Sequence, residues 1–273
     1  MAERITNILK DMADAIREKT STSEKIVGRD IPDAIKDMAL AAAYPSGMYY
    51  TTLDESGNVT GAEFFGMIPS NRYLPSTVKT VTVKSTTISD NCFKGTSVQT
   101  VNLHDNITTL GIGSFWSNQI KTLNFPDGTT NRIPTGVTEI PDQCFYQSTG
   151  LTQLLMHDGI KNIGASAFYQ CKLAVQELPE SLETIGNSAF QNVTSVGFTK
   201  IPKNVKTIGQ SAFASCTAIT SLTFEGTPTS LHNSALYGIT NLTVINVPWA
   251  EGEVAGAPWG ATKATINYNY TGG

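Results

Sequence analysis

Long apolar runs are absent from this sequence. No stretch of its 273 residues approaches the length of about 18 consecutive apolar residues that a helix needs to cross a bilayer. The first residues, Met1-Ala-Glu-Arg-Ile-Thr-Asn, also lack the basic start and apolar stretch of a secretion signal. No C-terminal anchor is evident. The sequence therefore predicts neither membrane insertion nor signal-directed export.

Charge and metal-binding patterns are also sparse. Charged residues make up 15% of the chain and the net charge is −4, so no basic surface for nucleic acid is expected. The chain has four Cys and three His, without a Cys-x-x-Cys pair or a His-rich spacing. Structural and catalytic zinc sites need such clusters, so we expect no metal and no cofactor.

A repeated phrase dominates what is present. An Ile or Leu leads into an apolar anchor residue, and this occurs seven times, mostly at steps of 22 to 23 residues. The anchors are Phe93, Phe115, Phe145, Phe168, Phe190, Phe213 and Leu236. A period of this length is typical of a solenoid, in which each repeat buries its apolar side by stacking on its neighbours.

Each repeat also contains a short segment with alternating apolar residues, which predicts a strand. Examples are Val98-x-x-Val-x-Leu103, Leu151-x-x-Leu-x-Met156 and Ile219-x-x-Leu-x-Phe224. Stacked at about 4.8 Å per step, these strands should form a parallel ladder on one side. In the later repeats the anchor phrase is nearly constant, as in Ile185-Gly-Asn-Ser-Ala-Phe190. There we expect Gly to allow a tight turn and Phe to fill the core.

One interval departs from the period. From Phe115 to Phe145 the step is 30 residues, about seven more than elsewhere. The extra residues include Asp127–Gly136, which is rich in Gly, Pro, Thr and Asn. This composition predicts a loop that leaves the stack, and insertions in solenoids often lie on the binding face.

The cysteines occupy repeat positions. Cys92 and Cys144 precede their anchors directly, whereas Cys171 and Cys216 follow theirs by three residues. Within each pair one repeat intervenes, so two steps of about 4.8 Å place the Cα atoms about 10 Å apart. That separation is beyond the reach of a disulfide. We expect reduced thiols in the core.

The pairs His104-Asp105 and His157-Asp158 follow strands, in the slot that other repeats fill with Pro126, Pro179, Pro202 and Pro248. A turn position explains them better than a catalytic pair. The recurring Ser166, Ser188 and Ser211 belong to the turn in the same way. Catalytic residues seldom recur at every turn of a solenoid, so we expect no catalytic residues and no enzyme activity.

The pattern around the later anchors resembles the BspA-like, or treponemal-type, leucine-rich repeat family. It is carried by Leu178-Pro179, Leu182, Ile185-Gly186, Ala189-Phe190, and by Ile201-Pro202, Val205, Ile208-Gly209, Ala212-Phe213, Cys216, Ile219 and Leu222. The resemblance covers about residues 74 to 247. It implies a leucine-rich-repeat solenoid of short parallel strands joined by turns and short helical pieces, and a function in surface recognition.

The N-terminal residues 1–43 lack the repeat and predict a helical hairpin. Its apolar stripes include Ile5, Ile8, Leu9, Met12, Ile16 and Ile35. A hairpin of about 40 residues cannot bury a core of its own. We therefore predict an attachment or oligomerisation element, with a homotrimer as the expected state.

Both ends of the chain are similar to segments of tail-associated proteins in phages and prophages of gut Firmicutes. The similarity lies in residues 5–35 and 247–268. It implies a virion tail or baseplate component whose helical end attaches to other tail proteins. The predicted organisation is a hairpin at 1–43, a linker and N-terminal cap at 44–73, repeats at 74–247 and a C-terminal cap at 248–273, with Trp249 and Trp259 covering the last layer.

One series of side chains is a candidate recognition site. The residue after the anchor is aromatic in three successive repeats, and amides follow close behind. The candidate residues are Trp116, Tyr146, Tyr169, Asn118, Gln147 and Gln170. If this slot points outward, rings at intervals of about 5 Å form a platform for sugar rings. Partial packing against the following turn is the alternative.

Three functions remain open at this point. The first is a phage or phage-like tail protein that recognises a host cell-surface receptor, with a glycan as the expected receptor. The second is a bacterial cell-surface adhesin of the same repeat family. The third is a structural tail subunit without a ligand. The location is a virion tail in the first and third cases and the bacterial surface in the second.

Overall fold

The computed structural model describes residues 48–53, 59–64, 74, 76–175 and 177–272. The predicted hairpin of residues 1–43, with its attachment residues Ile5, Ile8, Leu9, Met12, Ile16 and Ile35, lies outside the described residues. Among the described residues all regular elements are strands. The segments between them are turns, so the predicted short helical pieces are wrong for this part of the chain.

Sixteen strands lie within the described residues. They are β1 (Met48–Leu53), β2 (Val59–Phe64), β3 (Thr80–Val83), β4 (Thr87–Ile88), β5 (Thr100–Asn102), β6 (Thr109–Leu110), β7 (Thr122–Asn124), β8 (Glu139–Ile140), β9 (Asn162–Ile163), β10 (Thr184–Ile185), β11 (Lys200–Ile201), β12 (Thr207–Ile208), β13 (Ser221–Phe224), β14 (Ser230–Leu231), β15 (Val244–Asn246) and β16 (Thr265–Asn267). Most have only two to four residues, as expected for a solenoid in which each coil contributes one short strand per side.

The strands form two parallel ladders. The first ladder contains the sheets β1-β2-β3-β5-β7 and β11-β13-β15-β16, and only β1 pairs antiparallel in it. Its two halves are joined through isolated bridges between Arg132 and Leu155 and between Gln153 and Ala174. The second ladder contains β4-β6 and β8-β9-β10-β12-β14. The predicted parallel solenoid is therefore confirmed, with two ladders per coil rather than one.

The register places equivalent residues of successive coils beside one another. Val81 lies opposite Val101 in the first ladder, and Ile163 lies opposite Ile185 in the second. In these short strands buried and half-exposed residues alternate, because successive side chains of a strand point to opposite faces. The apolar residues of both ladders consequently face one core between them.

The anchors form a column through that core. Their ring centroids lie 5.0 to 5.6 Å apart from Phe93 to Phe213, and each consecutive pair is stacked. The rings are almost completely buried. Offset stacking of aromatic rings adds about 0.5–1.5 kcal/mol per pair to the gain from burial.

Each of the six Phe anchors sits in a turn that contains two left-handed residues. Ser166 and Gln170, two positions before and after Phe168, both have a φ of 54°. The same pattern recurs at Ser188 and Asn192 around Phe190. A residue with a positive φ interrupts a right-handed α-helix, in which every residue has a φ of about −60°. L-amino acids adopt the left-handed conformation as single residues and not as helices. The recurring Ser therefore belongs to the turn, as the sequence indicated.

Four anchors have a glycine four residues before them, and its role differs from the predicted one; these glycines are Gly111, Gly164, Gly186 and Gly209. Gly186 does not adopt a positive φ. A Cβ at this position would lie 2.7 Å from the backbone nitrogen of Ala165 in the preceding coil. Gly is thus required by the close approach of two backbones rather than by a left-handed turn.

The insertion leaves the stack only in part. Residues 126–130 are exposed, but Ile133 and Pro134 are buried. Leu155 donates its backbone N–H to Asn131, and Ile133 donates to Leu155, at 2.8 and 2.9 Å. The prediction that 127–136 is a loop outside the stack is therefore wrong for residues 131–136. Those residues fill a position in the first ladder.

The C-terminal residues cover the last coil. Trp259 is fully buried, and its ring centroid lies 6.0 Å from Trp249 and 6.2 Å from Phe224. The backbone N–H of Leu236 donates to the carbonyl of Trp259 at 2.8 Å, the bond that every earlier anchor makes to the next coil. Residues 250–262 thus form a degenerate last turn.

All four cysteines are free and buried, as predicted. Cys171 and Cys216 donate to the carbonyls of Phe145 and Phe190, at 2.6 and 3.0 Å. Burial raises the pKa of the Cys144, Cys171 and Cys216 thiols to about 12, and it raises the pKa of Cys92 well above its usual value.

These thiols should be unreactive in the native protein. The thiolate is the nucleophile in thiol chemistry, and at about pH 8 a thiol with so high a pKa is almost entirely protonated. We expect no reaction with DTNB over minutes under native conditions, and reaction of all four thiols in guanidinium chloride. A native protein that consumed one equivalent quickly would contradict the buried placement.

Candidate recognition surface

The outer surface of the turns is built by residues that flank the anchors. In each turn the anchor points into the core, and the next residue is at least partly exposed in every coil except that of Ala214, which is buried. The slot directly after the anchor holds Lys94, Trp116, Tyr146, Tyr169, Gln191, Ala214 and Tyr237. We call this surface the turn face. Its backbone is held from coil to coil, for example by the N–H of Gln147, which donates to Tyr169 at 2.8 Å.

Three predicted site residues form an aromatic column on the turn face. The rings of Trp116 and Tyr146 have centroids 4.9 Å apart with an interplanar angle of 52°. Those of Tyr146 and Tyr169 lie 4.8 Å apart, with an angle of 11°. The ammonium of Lys94 lies 3.4 Å from the centroid of the Trp116 ring, so it covers the first ring of the column.

This stacking changes how the rings can be used. The expected spacing of about 5 Å is present. Because Tyr146 and Tyr169 stack face to face along the solenoid axis, their faces cover one another. The column therefore presents ring edges and hydroxyl groups to a ligand rather than a flat platform. All three rings are half-buried, so packing and ligand contact both remain compatible with the slot.

Two predicted amides lie beside the column. Gln147 and Gln170 occupy the next slot, and the Nε2 of Gln147 donates to the Oε1 of Gln170 at 2.7 Å. Four polar groups of these side chains have no hydrogen-bond partner within the described part of the chain. They are the Oε1 of Gln147, the Nε2 of Gln170 and the hydroxyls of Tyr146 and Tyr169. We call the five residues Trp116, Tyr146, Gln147, Tyr169 and Gln170 the turn-face stripe.

Asn118 does not belong to this surface. It is 2% exposed, and its side chain donates to the carbonyl of Phe115 and accepts the N–H of Ile120. Ser148 and Cys171 fill the same slot in the next two coils and also donate to anchor carbonyls. The prediction of Asn118 as a ligand contact is therefore corrected, because this slot satisfies buried backbone groups.

The insertion is fastened to the first ladder by an ionic cluster. Arg132 donates two hydrogen bonds to Asp105, at 2.6 and 2.8 Å, and a third to Asp127 at 3.2 Å. Its guanidinium also lies 3.6 Å from the centroid of the Phe125 ring. Hydrogen bonds from Arg132 hold the pKa of the Asp105 carboxyl well below its usual range. The side-chain contacts of Arg132 thus tie the insertion to residues beside the first ladder and not to the aromatic column.

This cluster predicts acid sensitivity. A carboxyl whose pKa is lower in the folded state contributes stability above its unfolded pKa, about 3.9 for Asp, and loses it as the pH falls. We expect the unfolding free energy to fall below about pH 4, and the variant Asp105→Asn to show a shallower dependence there. Urea titrations at a series of pH values would measure both slopes. Equal slopes would contradict a role for Asp105.

The His-Asp pairs lie at turns, as expected. His157 accepts the N–H of Gly159 at 3.0 Å, and its other ring nitrogen lies 3.1 Å from the carbonyl of Pro134. His104 differs, since both of its ring nitrogens are buried without a partner in the described part of the chain. Its backbone N–H also makes no hydrogen bond there.

His104 is therefore a candidate for stabilisation. Other repeats place Pro in this slot, so the backbone accepts Pro, and His104→Pro removes two unpaired polar atoms and restricts the unfolded chain. We expect a gain of about 0.4–1 kcal/mol in unfolding free energy. The matched control is His157→Pro, which loses two hydrogen bonds and should show no gain. A lower stability of His104→Pro in urea titration would contradict this expectation.

A second polar feature was not predicted from the sequence. On the outer face of the first ladder, Asn124 donates to Asn102, and Asn102 donates to Thr82, at 3.1 and 2.9 Å. A second amide ladder runs from Asn267 through Asn246 to Thr223, at 2.8 and 3.1 Å. The signal was available, since Thr-x-Asn recurs in β5, β7 and β16 at equivalent positions. These amides lock the register of neighbouring coils.

Among the described residues, no group of three or more His, Cys, Asp or Glu side chains is arranged to hold a metal ion. The same residues include no helix that is long and apolar enough to span a bilayer.

The sequence matches the model of a known protein family. The model of the BspA type leucine-rich repeat region matches six copies, over residues 67–133 and 129–243. No curated protein matches the chain. A leucine-rich cell surface protein from Faecalibacterium prausnitzii A2-165 is a structural neighbour with 20% identity and a TM-score of 0.47. A leucine-rich repeat protein from Bacteroides ovatus ATCC 8483 has 21% identity and a TM-score of 0.39.

These alignments cover 71% and 73% of this chain, but only 58% and 45% of the two neighbours. The chain thus spans about half the length of these two solved proteins. At such low identities the likeness concerns the fold alone. The family assignment comes from the repeat model, which covers well over half of the sequence. This chain belongs to the BspA-type leucine-rich repeat family.

Proposed function

We propose that this protein is a recognition module that binds a glycan-bearing receptor on a cell surface through its turn-face stripe. The observation that carries the proposal is the set of hydrogen-bonding groups along the aromatic column that have no partner within the described residues. Sugars are recognised by such groups beside aromatic rings. The stacked turns hold these groups in fixed positions, so little conformational entropy is lost on binding.

The proposal is one of binding rather than catalysis. Several of the described residues that could act as nucleophiles or bases occupy structural positions. The thiols are buried, His157 is bonded to backbone groups, and Ser166 occupies a left-handed turn position. A site made of weak polar contacts gains useful strength when several copies act together. We propose a homotrimer, held by the N-terminal residues 1–43.

Binding to cells tests the recognition function. The full chain is labelled and titrated onto candidate cells, with and without periodate oxidation of their surface sugars. We expect periodate to abolish binding. The double variant Trp116→Ala/Tyr146→Ala should weaken it by about tenfold or more, equivalent to the loss of one or two net polar contacts.

Tyr237→Ala provides the matched control. Tyr237 occupies the same slot in a later coil, is 64% exposed and lies away from the aromatic column. Its replacement should leave binding unchanged. If the double variant, with its fold verified by circular dichroism, binds as well as the unmodified protein, the turn-face stripe is not the binding site.

The biological setting has two candidates. The resemblance of residues 5–35 and 247–268 to phage tail segments favours a virion tail, where the solenoid would contact a host receptor. The BspA-type family favours a bacterial cell-surface adhesin. Mass spectrometry of purified particles and of surface fractions from the bacterium that carries the gene would separate the two. Light scattering of the full chain would test the trimer, which a monomeric mass would contradict.

A further inference from the structure

The turn face repeats its chemistry at a fixed step along the solenoid axis. Ring centroids in the aromatic column are 4.9 and 4.8 Å apart, and those of the buried anchors are 5.0 to 5.6 Å apart. Backbone bonds between neighbouring turns, such as Phe145 N–H to Ala167 at 2.8 Å, keep this step uniform. A polymer that placed one unit over each coil would need a matching step per unit.

Most biological polymers do not match this step. An extended polypeptide advances by about 3.3–3.4 Å per residue, so its side chains fall out of register with the coils. A nucleic acid strand advances by about 3.4 Å per nucleotide and carries charge that this chain of net charge −4 would not attract. A β-1,4-linked chain of pyranose rings is held extended by its equatorial linkages, and it advances by close to one coil step per sugar.

We propose that the turn-face stripe binds an extended β-1,4-linked oligosaccharide that lies along the solenoid axis, with one sugar per coil. This inference rests on the proposed function and specifies its ligand. Tyr146 and Tyr169 direct ring edges and hydroxyls at successive sugars, and the Oε1 of Gln147 and the Nε2 of Gln170 supply an acceptor and a donor beside them. Lys94 and Gln191 occupy the same slot at the two ends and extend the row to five positions.

The proposal makes affinity depend on chain length and linkage. An α-1,4-linked chain curves because one of its bonds at each linkage is axial, so it leaves the row after a few sugars. For β-1,4-linked chains, each sugar added over a coil contributes about one net hydrogen bond. Affinity should therefore rise about threefold per sugar and level off at five sugars.

Calorimetric titration of the full chain tests this directly. The probes are chito-oligosaccharides and cello-oligosaccharides of two to six sugars, with maltohexaose as the α-linked control. We expect one of the β-linked series to show the rise and the plateau, and maltohexaose to bind at least about tenfold more weakly than the six-sugar member. The double variant Tyr146→Phe/Tyr169→Phe keeps both rings and removes two hydroxyls. It should flatten the length dependence, whereas Tyr237→Phe should not.

Three results would overturn the inference. They are equal binding of maltohexaose, an affinity independent of chain length, and failure of both β-linked series to bind. If cell binding remains sensitive to periodate and to the stripe variants in any of these cases, only the ligand class is wrong. If cell binding is insensitive to both, the proposed function itself fails.

Discussion

Replacing Phe168 by alanine is expected to lower the free energy of unfolding by about 3–5 kcal/mol. Phe168 is fully buried and stacks on Phe145 and Phe190, with centroids 5.4 and 5.1 Å away. Its removal leaves a cavity between two coils that cannot close, because backbone hydrogen bonds fix their separation. Urea titration followed by circular dichroism measures the loss.

The neighbouring residue provides the control. Tyr169 is also aromatic and stacked, but it is half-buried and lies outside the core. Tyr169→Ala should cost clearly less than Phe168→Ala, because only part of its ring is buried and its one aromatic pair adds about 0.5–1.5 kcal/mol to that burial. In a solenoid each coil contacts only its neighbours, so Phe168→Ala should also weaken the coupling between the two halves of the stack. Equal costs for the two variants would contradict a core based on the anchor column.

Replacing Trp259 by alanine should have an effect of similar size, about 3–5 kcal/mol, located at one end. Trp259 is fully buried, packs against Trp249 and Phe224, and donates its indole N–H to Ala255 at 2.9 Å. Without it the last complete coil loses its cover. Hydrogen exchange should then quicken in β14, β15 and β16 before it quickens in β9 or β10.

Tyr270→Ala serves as the matched change near the same end. Tyr270 is 36% exposed, and substitutions at exposed positions away from special features usually alter stability by less than about 0.5 kcal/mol. Uniformly faster exchange along the whole stack in Trp259→Ala would show that the terminal residues act on global stability rather than as a local cover.

The repeat core could be predicted because burial alone selects its residues. Each anchor must fill the same space between two ladders, so a large apolar residue recurs at every turn. The close approach at Gly186 could not be predicted in this way. A glycine in a turn has the same sequence signature whether it adopts a positive φ or lies against another backbone.

The candidate site was predicted less completely, and Asn118 illustrates why. An amide next to an aromatic residue resembles a surface residue when one repeat is viewed alone. Other repeats fill this slot with apolar residues or thiols, namely Cys171, Val193, Cys216 and Ile239, and these indicate burial. The pairing of Arg132 with Asp105 could not be predicted, because it depends on the register between distant parts of the chain.

The slot after each anchor carries almost none of the constraints that hold the coil. It accepts five residue types, namely Lys, Trp, Tyr, Gln and Ala, on one unchanged turn geometry. The buried anchors thus determine stability, whereas the residues directly after them determine which ligand is bound. Evolution can replace the residue after the anchor in one coil without changing the others. A change in ligand therefore does not require a change in fold. A library randomised at positions 94, 116, 146, 169 and 191 would exploit this separation.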